Sequence, residues 1–69
     1  MYKLMKSERF VLEHIVGGSM VAYRHQEIRR FQKFLTAFVA CEMANERTAV
    51  QHYILNGNGQ EYYAGTWIA

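Results

Sequence analysis

The sequence predicts an α+β fold: a single two-layer domain over residues 1–69, with element order β-β-α-β-β. An antiparallel sheet is expected to carry one amphipathic helix on one face. Three observations lead there. Two runs rich in β-branched and aromatic residues flank Gly17-Gly18-Ser19, past His25 the apolar period lengthens from two to nearly four, and Asn56-Gly57-Asn58-Gly59 separates two further β-like runs.

The first strand is read over Arg9–Val16, with extension back to Tyr2, and the second over Met20–Arg24, the glycine pair closing a hairpin between them. From His25 to about Ala44, Ile28, Phe31, Leu35, Phe38 and Val39 fall on one stripe, flanked by Phe34 and Cys41. That pattern predicts a helix of about five turns, poorly capped at its start and stopped by Asn45 in a left-handed conformation. Phe31, Leu35 and Phe38 are thereby expected in the core.

Thr48–Leu55 and Gln60–Ile68 supply the remaining two strands. With Asn58-Gly59 as a two-residue turn, Ile54 would oppose Tyr63, His52 would oppose Gly65, and Val50 would oppose Trp67. Val50, Ile54, Tyr63 and Trp67 would then share one face, and Tyr53, Leu55, Tyr62 and Ala64 the other. A turn at Asn56-Gly57 would change those pairs. One helix covers only one face, so Tyr53, Leu55 and Tyr62 are the candidate binding surface, for another protein or for a second copy of the chain.

Composition narrows the function classes. Half the residues are apolar, which excludes a disordered chain, and the lone cysteine excludes a disulfide framework. Lys3, Lys6, Glu8 and Arg9 interrupt the N-terminal region, so no signal-peptide core is expected, and no stretch suits a membrane span. A free thiol fits a reducing, cytoplasmic location. The net charge of +2 is uneven: residues 1–33 hold seven basic and three acidic groups, residues 34–69 one basic and three acidic. Arg24, Arg29, Arg30 and Lys33 therefore form a candidate basic patch, the last three on the first half of the expected helix.

Catalytic and cofactor chemistry finds no foothold. His14, Cys41 and His52 lack the local spacing of a zinc site, and Cys41 reads as a small apolar residue beside the helix stripe. Every acid is a glutamate, and Ser7 and Ser19 lie in no recognisable nucleophile elbow. Glu42 and Glu46 have no histidine at helical spacing, and the Asn-Gly repeat lacks the lysine and following helix of a phosphate loop. No catalytic, metal or cofactor-binding residue is expected, and the chain is read as not an enzyme.

In size and element order the chain resembles the small inhibitor and adaptor proteins that phages and mobile elements encode. That resemblance rests on no motif and transfers no residues. The leading expectation is a non-enzymatic protein-interaction module that occupies a surface of a larger partner, with a homodimer as one arrangement. The alternative is a nucleic-acid-binding module using Arg24, Arg29, Arg30 and Lys33 against phosphates.

Overall fold

The computed structural model describes residues 1–15, 17–63 and 65–68, the side chains of His14 and Ile15 excepted. The expectations for Val16, Ala64 and the His14 side chain lie outside the described residues. Two long strands, β1 (Tyr2–Ile15) and β2 (Gly18–Phe31), precede one helix, α1 (Phe34–Arg47). Three short strands follow: β3 (Gln51–Leu55), β4 (Glu61–Tyr63) and β5 (Thr66–Ile68). They form one antiparallel sheet in the order β2-β1-β3-β4-β5, with α1 on one face. The α+β two-layer architecture read from the sequence is therefore the one the chain adopts. The stretch expected as a single last strand folds back on itself, Gly65 lying between β4 and β5 at φ +87°.

The helix is shorter than its apolar spacing suggests. His25–Phe31 belongs to β2, and α1 begins at Phe34. A β-bulge explains the difference. Leu4 pairs with Arg29 but Met5 pairs with Glu27, so Ile28 is an extra residue on β2. The insertion breaks the two-residue alternation and leaves Ile28 and Phe31 three apart, a spacing that imitates a helix. Asn45 does not end α1 either; the helix runs to Arg47, with Thr48 as its C-cap donating its backbone N–H to the Ala44 carbonyl.

The core sits where α1 crosses β1 and β3. Ala37 and Ile54 have no exposed surface, Leu4 and Cys41 are buried beside them, and Phe34, Phe38, Phe31 and Tyr62 pack around this centre. Small residues at Ala37 and Cys41 let the helix approach the sheet closely. Leu35 and Val39, expected on the buried stripe, instead point outward at 70% and 48% exposure. The inward stripe is Phe34–Ala37–Phe38–Cys41, rotated away from the one that the largest side chains suggest.

The second hairpin also differs in register. Asn56 to Gln60 form a five-residue loop, so Ile54 faces Tyr62 and Leu55 faces Glu61, not the pairs expected from an Asn-Gly turn. The Asn56 side-chain oxygen accepts from the backbone N–H groups of Asn58 and Gln60, each at 2.9 Å, and this widens the loop. Tyr62 and Tyr63 consequently exchange faces.

β3 pairs only with Lys3–Ser7 of β1, so β1 and β2 continue past it as a two-stranded arm. The molecule is long for its size, 46 × 27 × 19 Å.

Candidate interaction surface

The exchange of Tyr62 and Tyr63 removes Tyr62 from the expected binding face and leaves Tyr53 and Leu55 on it. Tyr62 lies on the helix side, its ring 5.0 Å from Phe34, 6.1 Å from Phe38 and 5.1 Å from Trp67. Tyr53 does lie on the face away from the helix, but it is only 3% exposed. Its ring stacks on Tyr63 at 5.0 Å, and its hydroxyl shares a 2.9 Å hydrogen bond with Nδ1 of His25. Leu55 is half-buried beside them. On this part of the helix-free face Tyr53 and Tyr63 therefore cover one another. Burial, with the Glu61 carboxylate bonded beside it, pushes the Tyr63 phenol up to about 12. Burial and the Glu61 charge raise Tyr53 as well.

The basic patch is likewise taken apart. Arg29 and Arg30 are successive residues of β2, so they point to opposite faces of the sheet. Arg29 places its guanidinium 5.1 Å from the Phe31 ring, on the helix side. Arg30 bonds Glu27 at 3.0 Å, and Lys3 approaches the same carboxylate at 3.7 Å. Arg24 lies out on the arm over the Phe10 ring, and exposed Lys33 occupies the N-cap position of α1 without a capping side chain. These four cations do not share one face.

Cys41 and His52 are both buried and hydrogen-bonded within the fold. Burial is the main cause of a raised Cys41 thiol pKa, with the Glu42 charge adding to it, and the 3.7 Å contact from Asn45 only partly opposes them. A raised pKa leaves little thiolate for nucleophilic chemistry. The His52 ring is buried and donates from Nδ1 to the Val50 carbonyl at 2.8 Å, which fixes its tautomer. Both border a cavity of about 250 Å³ between α1 and β3–β4, rimmed by Glu42, Asn45 and Gln51. Among the described residues no three His, Cys, Asp or Glu side chains gather in a metal-binding group, and no helix is long and apolar enough to cross a membrane.

The structure leaves an apolar stripe open to solvent, and two of its residues, Leu35 and Val39, are ones that the sequence pattern puts on the buried side. On the outer side of α1, Leu35, Val39 and Met43 follow one another at four-residue spacing, at 70%, 48% and 44% exposure. With Thr36, Phe31 and Arg29 they line an open groove of about 470 Å³ between the helix and β2. The four-residue spacing is visible in the sequence. It could not be separated there from the inward stripe, because α1 is apolar on two sides.

No family model, no curated protein and no solved structure matches this chain.

Proposed function

We propose that the chain is a non-enzymatic protein-interaction module of the inhibitor or adaptor type. It acts by laying the outer side of α1 on a larger protein partner. The observation that carries this reading is the apolar stripe Leu35–Val39–Met43, exposed beside Phe31 in a domain too small to leave such area uncovered without cost. Arg29 borders the groove, and Lys33 stands exposed at the N-terminus of the same helix. The surface therefore favours an apolar segment flanked by acidic residues over a second basic surface.

Capture from the source cell, with partners identified by mass spectrometry, tests the reading when the wild-type chain is compared with Val39→Glu and Met43→Glu. Both positions are exposed, so both variants should keep the helical circular-dichroism signal. The expected result is a partner held by the wild-type chain after nuclease treatment and lost from both folded variants. Retention by both variants would move the contact elsewhere on the molecule. Binding that vanished with nuclease, and fell by a factor set by the number of phosphates contacted as salt rose, would establish the nucleic-acid alternative instead.

A further inference from the structure

The β1–β2 arm has a different chemistry from the helix groove and calls for a different partner. Past Ser7, among the described residues, no third strand lies beside its two strands, so β1 presents an unpaired edge from Glu8 outward and β2 an unpaired edge along its length. Apolar side chains stand on both of its faces. Phe10 pairs with Ala22 and Leu12 with Met20 on one face, while Val11 pairs with Val21 on the other. Val11, Leu12, Met20 and Val21 are between 39% and 50% exposed, and Tyr23 is 60% exposed. A solitary hairpin with this surface is marginal in water. From Glu8 to His25 the arm carries two arginines and two glutamates, so it has no net charge with which to hold a phosphate backbone.

We propose that the occupant of the arm is a second copy of this chain, joined by antiparallel pairing of β1 with β1 about a two-fold axis at Val11. Strands related by an axis normal to the sheet keep the same face up, so directly opposed residues must differ in number by an even count. With Val11 opposite its own mate, Phe10 of one copy meets Leu12 of the other, and Arg9 meets Glu13 twice. Among the described residues neither Arg9 nor Glu13 has an ion-pair partner within the chain. Moving the axis to Phe10 sets Arg9 against Val11 and Glu8 against Leu12; moving it to Leu12 sets Glu13 against Val11. Only the Val11 register is charge-complementary. The β2 edge offers no equivalent, because Arg24 and Glu27 differ by an odd number and Glu27 already engages Lys3 and Arg30.

The shape of the molecule agrees with that register. Where β3 ends, Ser7, Arg9, Tyr23, Val50 and Gln51 border a notch of about 370 Å³, and an arm running antiparallel alongside would bring its tip there. The accessible surface, 5307 Å², exceeds by about 800 Å² that of a compact monomer of this mass. An area of about 800 Å² is one partner's share of a standard-sized interface.

Charge exchange tests the pairing without touching the helix groove. The purified wild-type chain should sediment as a dimer at micromolar concentration. Arg9→Glu alone and Glu13→Arg alone each place like charges opposite one another twice, and each should weaken self-association at least about tenfold. An equimolar mixture of the two variants restores both attractive pairs and should recover the dimer, as a heterodimer. A wild-type chain that stays monomeric to millimolar concentration would overturn the proposal. So would a dimer that both single variants keep, or one that mixing does not restore. None of these outcomes depends on whether α1 binds a larger partner, which Val39→Glu tests separately.

Discussion

Leu35 and Ile54 show how differently two aliphatic side chains can be placed in one small chain: one is 70% exposed, the other fully buried between Leu4 and the helix. Their truncations should diverge accordingly. Ile54→Ala should cost about 2–5 kcal/mol, as buried aliphatic truncations do, while Leu35→Ala should stay within about 0.5 kcal/mol of wild type. Chemical denaturation of the two variants checks this, and equal losses would place Leu35 back in the core. Tyr63 gives a second expectation at this scale, in pH. Its phenol is held near 12 in the folded chain against an ordinary value of 10. The native state therefore keeps a proton that the unfolded chain releases. The contribution is complete below pH 10 and is lost as pH rises through about 12, so stability should fall with pH across that window. Tyr63→Phe should flatten that part of the profile, and an ultraviolet-monitored titration of wild type should show a phenol ionising later than a free tyrosine. Cys41 completes the residue scale: with its thiol raised by burial, it should react slowly with thiol reagents in the native protein and quickly in denaturant.

Between elements, Asn45 is, among the described residues, the α1 side chain that hydrogen-bonds to the sheet. Asn45 accepts the His52 backbone N–H at 2.7 Å and donates to the His52 carbonyl at 3.2 Å, completing the pairing of β3 where no further strand does so. Asn45→Ala leaves both groups without that partner and should cost about 1–3 kcal/mol, again read by denaturation. This clamp explains why an asparagine that reads as a helix stop lies inside the helix instead. The alternating pattern, the glycine pair and the run of helix-compatible residues after Phe34 were legible in the sequence, because each is a local preference. The end of β2 was not. One bulge residue, Ile28, shifts the apolar spacing from two to three, and only the pairing of β2 with β1 reveals it. The second hairpin misleads in the same way: Asn56 uses its side chain to hold a five-residue loop, and that choice puts Tyr62, not Tyr63, under the helix. The expected surface depends on both features: the face of each tyrosine follows from that register, and Arg29 and Arg30 lie in β2, before the helix begins. A Tyr62→Ala variant should therefore lose stability and near-ultraviolet aromatic ellipticity together, as removal of a ring packed against Phe34, Phe38 and Trp67 requires.

At the scale of the whole molecule, order should decline from the helix-covered end to the arm. The Cα radius of gyration, 14.1 Å, exceeds the roughly 11 Å of a compact chain of this length, and the difference lies in strands that leave the sheet. Near Leu4 and Ile54 a backbone hydrogen bond is shielded by α1 and by neighbouring strands on both sides. Beyond Ser7, among the described residues, the β1–β2 bonds have no neighbouring strand on either edge and mostly exposed side chains above and below. Opening the arm exposes little new apolar surface, so it requires much less free energy than unfolding the body. Native-state hydrogen exchange on dilute protein should accordingly separate two groups of amides. Those of Leu4 and Ile54 should exchange only with global unfolding and respond steeply to denaturant. Those of Phe10–Leu12 and Met20–Ala22 should exchange faster, with almost no denaturant dependence. Raising the protein concentration should slow only the second group, because the proposed pairing with another copy would bury the arm and leave the body unchanged. Uniform protection at every concentration would mean that arm and body unfold as one unit, and that the arm is held by contacts within its own chain.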